Sequence, residues 1–263
     1  MKVFERIVVG VDGTDWGFEA LRQALVLART ESAVLHAVTA LDTALAIHGG
    51  FQAGHLTELL ATEAEEAREE AEAIMGGREG FSARVVRGKP IDVLRHERDE
   101  LQATLVALGG RRSSRFLGIM LGDTGTELVH DAVCSALLAC PPESEPWRPR
   151  RIVVGFDGSP HAQAALREAE KLAAAFDGTV EVVAATGGKE IARDATGAER
   201  VDTWDAAHPV AVLVERSRSV DLVVVGSRGV HGIRTIGSVS ERVAHQAHCT
   251  ALVVHEPQTT DSS

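Results

Sequence analysis

Short β-branched apolar runs alternate with helical stripes along most of the chain. Residues 7–11 form an apolar run of the kind that marks a strand buried on both faces. A helix is expected next, with Leu21, Ala24, Leu25 and Ala28 on one stripe. Residues 33–38 read as the second strand. Leu56, Leu59, Leu60, Ala64, Ala67, Ala71 and Ile74 then mark a second helix, whose acidic opposite face reads as a solvated surface. Three further strands are expected at 81–86, 105–108 and 136–139, separated by helices near 91–100 and 123–132. Such alternation implies right-handed crossovers and a parallel sheet covered on both sides.

The pattern then starts again. Residues 6–14, RIVVGVDGT, return as RIVVGFDGS at 151–159, with seven of nine positions identical at an offset of 145. Lys89-Pro90-Ile91-Asp92-Val93-Leu94 lines up with His208-Pro209-Val210-Ala211-Val212-Leu213, and Leu105-Val106-Ala107-Leu108-Gly109 with Leu222-Val223-Val224-Val225-Gly226. The stretch from Gly122 to His130 answers that from Gly237 to His245. A period this long belongs to a duplicated domain and not to a solenoid. Residues 1–140 and 151–256 are therefore read as two domains. Residues 141–150, with Pro141, Pro142, Pro146 and Pro149, are read as a stiff linker. The second copy keeps a well-punctuated first helix, with Ser159 as cap, Pro160 at its first position and Gly178 as its stop. Between 185 and 201 only a short Gly- and charge-containing stretch stands where the first copy has its long second helix, so the second domain is expected to lack a full one.

Composition narrows the class. The 263 residues carry 27 Lys and Arg against 38 Asp and Glu, a net charge of −11, which disfavours nucleic acid and acidic membranes as partners. No apolar stretch reaches the roughly 18 residues of a membrane span, and the N-terminus runs straight into the first strand. A cytoplasmic location is the expectation. Cys134, Cys140 and Cys249 read as reduced core thiols. Trp16, Trp147 and Trp204 read as packing residues, with Trp147 pinning the linker. His245, His248 and Cys249 have helical spacing, but with no evident further ligand no metal site is expected.

Open parallel sheets bind ligands at the C-terminal ends of their strands. Two loops per copy have a suitable composition. One leaves the first strand: Asp12-Gly13-Thr14, and Asp157-Gly158-Ser159. Glycine permits close backbone approach and the acid can accept hydrogen bonds from a ribose, although the same residues serve equally as a helix cap. The other follows the fourth strand. In the second copy it runs from Gly226 through Arg228, Gly229, Gly232 and Arg234 to Gly237 and Ser238, with Val239 and Ser240 in the helix it opens. Glycines allow a nest of amides, a helix N-terminus offers more, and the arginines add positive charge. No nucleophile–base pair or paired carboxylates stand at recognisable spacing, so no enzyme activity is expected.

These motifs resemble the universal stress protein family, as two of its domains joined head to tail. The resemblance rests on V-G-x-D-G-[ST] after strand one, on V-V-G-S-R-G at strand four and on G-S-V-S-E-R-V-A-H in the following helix. It implies an α/β fold of two doubly wound, five-stranded parallel sheets of the adenine nucleotide alpha hydrolase-like type. It further implies ATP binding, with Mg²⁺ as a companion ion, through a loop of pattern G-x2-G-x9-G-[ST], and a role as sensor or regulator acting on a protein partner. Pairing through the last strands, here 136–139 and 251–254, is implied as well, within one chain as a pseudo-dimer or between chains as a homodimer.

The second copy supplies Asp157, Gly158, Ser159, Gly226, Arg228, Gly229, Gly237, Ser238, Val239 and Ser240 for this site, and Ala184 for the adenine. Only seven residues separate its Gly229 from Gly237. The first copy supplies Asp12, Gly109 and Gly122 at the family spacing, but Arg112 stands in place of the second glycine and Asp123 in place of the hydroxyl. A carboxylate at a helix N-terminus occupies the amides that a phosphate needs. The second copy is therefore the better expected site. The alternative is a nucleotide-independent interaction module, and slow ATP turnover is a third possibility.

Overall fold

The computed structural model of the protein describes residues 4–44, 53–113, 116–120, 123–131, 133–143, 146–184, 201–203, 208–227 and 238–255. The first repeat comprises β1 (Arg6–Gly10), α1 (Asp15–Glu31), β2 (Val34–Leu41), α2 (Ala53–Met75), β3 (Phe81–Arg87), α3 (Pro90–Glu100) and β4 (Leu105–Gly109). It continues with β5 (Arg111–Ser113), β6 (Phe116–Met120), α4 (Asp123–Asp131) and β7 (Ser135–Ala139). The second comprises β8 (Arg151–Phe156), α5 (Pro160–Ala175), β9 (Thr179–Ala184), β10 (Val201–Thr203), α6 (Pro209–Arg216), β11 (Leu222–Gly226), α7 (Ser238–Gln246) and β12 (Thr250–Val254).

Both repeats are doubly wound. Strands of the first run in the order β3-β2-β1-β4-β7, and those of the second in the equivalent order β10-β9-β8-β11-β12. Val8 of β1 stands between His36 of β2 and Val106 of β4, all parallel. Val154 of β8 likewise stands between Val182 of β9 and Val224 of β11. The order reverses at β1 and at β8, the point where such sheets open a crevice. The run read as buried on both faces is so: Ile7, Val8 and Val9 have no exposed surface, and neither have Leu222, Val223 and Val224 of the second repeat.

Helix α1 begins where Thr14, extended at φ −88°, accepts a hydrogen bond from the Gly17 amide, and α5 begins in the same way at Ser159 and Ala162. The expected stripe of α1 is buried along its length. Gly178 ends α5 for a reason other than the expected one. Asp177 takes the left-handed position (φ 52°), whereas a Cβ on Gly178 would meet the Arg150 carbonyl oxygen at 2.4 Å. Trp147 is buried, and its indole N–H donates to the Asp221 carbonyl at 3.3 Å. The Asp221 carboxylate accepts from the amides of Arg150 and Arg151 and from the Arg151 guanidinium. The end of the linker is thus fastened to the start of the second sheet.

Three features depart from the pattern read in the sequence. Leu59, placed on the buried stripe of α2, is 48% exposed. Residues after β4 fold into an antiparallel hairpin, β5–β6. Strand β10 pairs with β9, and residues 185–200 between them, where the full second helix was expected to be missing, lie outside the described residues. By its contacts the chain divides into one unit of Met1–Gly110, Asp123–Leu128 and Leu137–Pro141, and a second holding the remainder, hairpin included. Within that second unit β6 lies against α7.

Candidate functional site

The turns leaving β1 and β8 are built alike. Asp12 Oδ1 accepts from the Thr14 amide at 3.1 Å and from its hydroxyl at 2.6 Å, and Asp157 Oδ1 accepts from the Ser159 amide at 3.0 Å. Gly13 and Gly158 between them take φ of 75° and 83°, the left-handed region that glycine adopts without strain. Each aspartate therefore orders its own turn, while Thr14 and Ser159 cap the next helix. The second carboxylate oxygen of Asp12 takes no part in this turn.

The glycines that close β4 and β11 are fixed by packing. A Cβ on Gly109 would lie 2.4 Å from the Trp16 carbonyl oxygen, and one on Gly226 would lie 2.6 Å from the His161 carbonyl carbon. Their absent side chains let the first turns of α1 and α5 press against the strand ends. Ser240 Oγ then donates to the Gly226 carbonyl at 2.5 Å, which tethers the first turn of α7 to the end of β11. Beside it, the fully buried Ser227 hydroxyl stands 3.4 Å from His161 Nδ1 and 3.3 Å from His255 Nδ1. Sequence reasoning missed this cluster because its three members come from distant segments and share no motif.

In the second repeat the structure thus brings Asp157, Gly158, Ser159, Ala184, Gly226, Val239 and Ser240 to the C-terminal edge of one sheet, with Ala184 paired between Phe156 and Thr203. Ser238 opens α7. Arg228, Gly229 and Gly237 lie outside the described residues. In the first repeat Asp12 and Gly109 occupy the equivalent places, Asp123 opens α4, and Gly122 lies outside the described residues. Here the stretch with family spacing is the β5–β6 hairpin, in which Arg111 pairs with Met120 and Arg112 with Ile119. A backbone committed to a ladder has fewer free amides to converge on an anion.

The first repeat also has a cleft of about 370 Å³ over the ends of β1 and β2, against α2. Five carboxylates line it: Asp12, Asp42, Glu63, Glu66 and Glu70. Its apolar lining includes Phe18, Leu60, Ala64 and Ala67. The acids on α2 were expected to be a solvated face; Glu63, Glu66 and Glu70 are exposed but edge this cleft. Their i, i+3, i+7 spacing was the available signal. Three other acids of α2 share a cation, Arg68, which pairs with Glu65 at 2.6 Å, Glu72 at 2.7 Å and Glu69 at 3.7 Å. That pairing pushes the Arg68 pKa above its ordinary value, the hydrogen bond it donates to Glu65 being the largest cause. Among the described residues, no three His, Cys, Asp or Glu side chains converge closely enough to hold a metal ion, and no helix is long and apolar enough to cross a membrane.

A universal stress protein of Mycobacterium tuberculosis strain H37Rv is 29% identical to this chain over 193 residues, 60% of this chain and 63% of that protein. One from Mycobacterium bovis is 29% identical over 185 residues, 59% and 63% of the two. The alignments span just under two thirds of these relatives. The solved structure of an Archaeoglobus fulgidus universal stress protein shares the fold, with a TM-score of 0.74 at 18% identity over 96% of this chain and 98% of that one. The sequence profile of the universal stress protein family matches residues 4–139, 149–202 and 188–255. Both repeats are matched, and the chain belongs to the universal stress protein family.

Proposed function

We propose that the protein is a cytoplasmic stress-response regulator that binds an adenine nucleotide, ATP with its Mg²⁺, in its second repeat. Occupancy, rather than turnover, is what a protein partner reads. The observation that carries this is the tether of α7: the Ser240–Gly226 hydrogen bond holds the amide end of that helix at the end of β11. The Asp157 turn lies across the same edge, beside β9, where Ala184 ends the strand. The residues present fit a nucleotide. A carboxylate turn can meet a ribose hydroxyl, the α7 amides and Arg228 suit phosphate, and Ser238 opens the helix with a hydroxyl where the first repeat has Asp123. The sequence suits it too. Residues 185–200, the segment that stands in the second copy where the first has its long second helix, carry Lys189, Arg193 and Arg200 against Glu190, Asp194 and Glu199, a neutral sum, whereas α2 carries seven Glu and one Arg.

Denaturing the protein as purified and identifying released small molecules by mass spectrometry tests this reading, together with titration of the emptied protein by ATP. Released adenine nucleotide, or saturable ATP binding, is the expected outcome. A protein that neither releases nor binds a nucleotide would be an interaction module instead.

A further inference from the structure

We propose that Ser227, His161 and His255 form an acid-sensitive latch in the second repeat, a cluster that holds one added proton but not two. The latch does not depend on nucleotide binding. Ser227 has no exposed surface, and its Oγ stands 3.4 Å from Nδ1 of His161 and 3.3 Å from Nδ1 of His255. The two ring centroids are 5.4 Å apart. Both histidines are half-buried, so protons from solvent reach them.

Counting protons fixes the state of the cluster. A serine hydroxyl has one proton to donate and two lone pairs with which to accept. Two neutral rings that face it through Nδ1 cannot both accept that proton. One ring therefore carries its hydrogen on Nδ1 and donates to Oγ. The other accepts from the hydroxyl at Nδ1 and carries its hydrogen on Nε2. The donor ring can add a proton at Nε2 and keep its bond to the serine. The acceptor ring can add one only at the Nδ1 that the hydroxyl occupies. The hydroxyl must then turn away inside a site with no water contact, and two cations face each other across 5.4 Å.

The surrounding charges favour the same limit of one. Strands β11 and β12 bring no charged side chain to the pair. Asp157 precedes α5, which carries Arg167, Glu168, Glu170 and Lys171, and α7 carries Glu241, Arg242 and His245. Of these only Glu168 is buried, on the face of α5 that His161 occupies two turns earlier. A buried carboxylate there favours a first imidazolium, and the neighbouring ring opposes a second.

The latch joins three segments. Ser227 directly follows β11, and its amide donates to the Val254 carbonyl of β12 at 2.8 Å. His161 lies in the first turn of α5, and the His255 amide donates to Ser135 Oγ at 3.1 Å. A second proton sets the rings against each other across this junction, and the Ser227 amide bond is the backbone link it loosens. The acceptor ring takes its proton less readily in the folded protein than in the unfolded chain. The latch is therefore closed at neutral pH and opens as the pH falls.

Nitrogen NMR of the imidazole rings in the full chain tests this, with exchange of the Ser227 amide as the second readout. His161→Gln and His255→Gln assign the signals, and circular dichroism is the folding control. At about pH 8 one ring should be the Nδ1–H tautomer and the other the Nε2–H tautomer. On acidification the rings should take up protons in two steps, at least about one pH unit apart. Protection of the Ser227 amide, corrected for intrinsic exchange, should fall about tenfold through the second step. In His255→Gln it should hold over the same range, because the second cation is gone. Ser227→Ala, which keeps both rings and removes the shared hydroxyl, should leave them as the same tautomer. Two Nε2–H tautomers in wild type, simultaneous protonation of both rings, or Ser227 protection unchanged across the second step would each overturn the proposal. So would wild-type tautomers persisting in Ser227→Ala.

Discussion

Single residues explain much of why the two repeats share their motifs. Gly109 and Gly226 end equivalent strands, and at each an added Cβ would strike backbone in the first turn of a neighbouring helix, α1 or α5. Gly109→Ala and Gly226→Ala should each lower stability by roughly 1–3 kcal/mol in chemical denaturation, the usual range for overpacking. Gly54→Ala, at a site with nothing within 4 Å of the new methyl group, should not. His36 gives a second test at this scale. Burial, then the nearby Arg84 guanidinium, lower its pKa below the ordinary 6.5, and its Nδ1 lies 2.7 Å from the Ser82 hydroxyl. The unfolded chain therefore binds this proton more readily than the folded one. Stability from neutral His36 is complete above pH 6.5 and is lost as the pH falls through the lower folded value. His36→Gln should flatten that acid-side loss in urea titrations between pH 8 and 5. An unchanged slope would place the acid sensitivity elsewhere.

At the scale of elements, the linker's attachment is the feature with the largest expected cost. Trp147 is 4% exposed and bonded to Asp221, so Trp147→Ala should cost about 3–5 kcal/mol, while Trp147→Phe should cost markedly less. A thermal midpoint unmoved by Trp147→Ala would mean that the linker is not fastened there in solution. Elements with a strong period were legible in the sequence, and weakly patterned ones were not. The α1 stripe and the β1 and β11 runs are buried as the periodicity predicts, because their apolar positions have only one way to leave water. Leu59 is exposed although the α2 stripe claimed it. Ala64, Ala67 and Ala71 already fill the buried line there, and a stripe that wide exceeds what one sheet face covers. The β5–β6 hairpin escaped notice because its first strand, Arg111–Ser113, is short and polar. Only the run Phe116–Met120 carried a strand signal. Of the candidate site, the two aspartate turns and the strand-end glycines could be read directly. The acidic cleft could not, since its lining comes from the β1 turn, the end of β2 and two helices.

At the scale of the whole molecule, the two repeats of a duplicated domain share one frame and differ at its open edge. Each repeat keeps the frame that aims a helix N-terminus and an aspartate turn at one sheet edge. In the first, Asp123 at the start of α4 and an acid-lined cleft oppose phosphate; in the second, Ser238 stands at the helix start. If nucleotide binds as proposed, Gly237→Asp should abolish its binding in a folded protein, because it adds a carboxylate immediately before Ser238, which opens α7. The measurement that bears most directly on the account is the stoichiometry of ATP binding to wild type by titration calorimetry. A single site per chain, absent in folded Gly237→Asp, is the predicted result. Two equal sites, or a single site that survives Gly237→Asp undiminished, would contradict it.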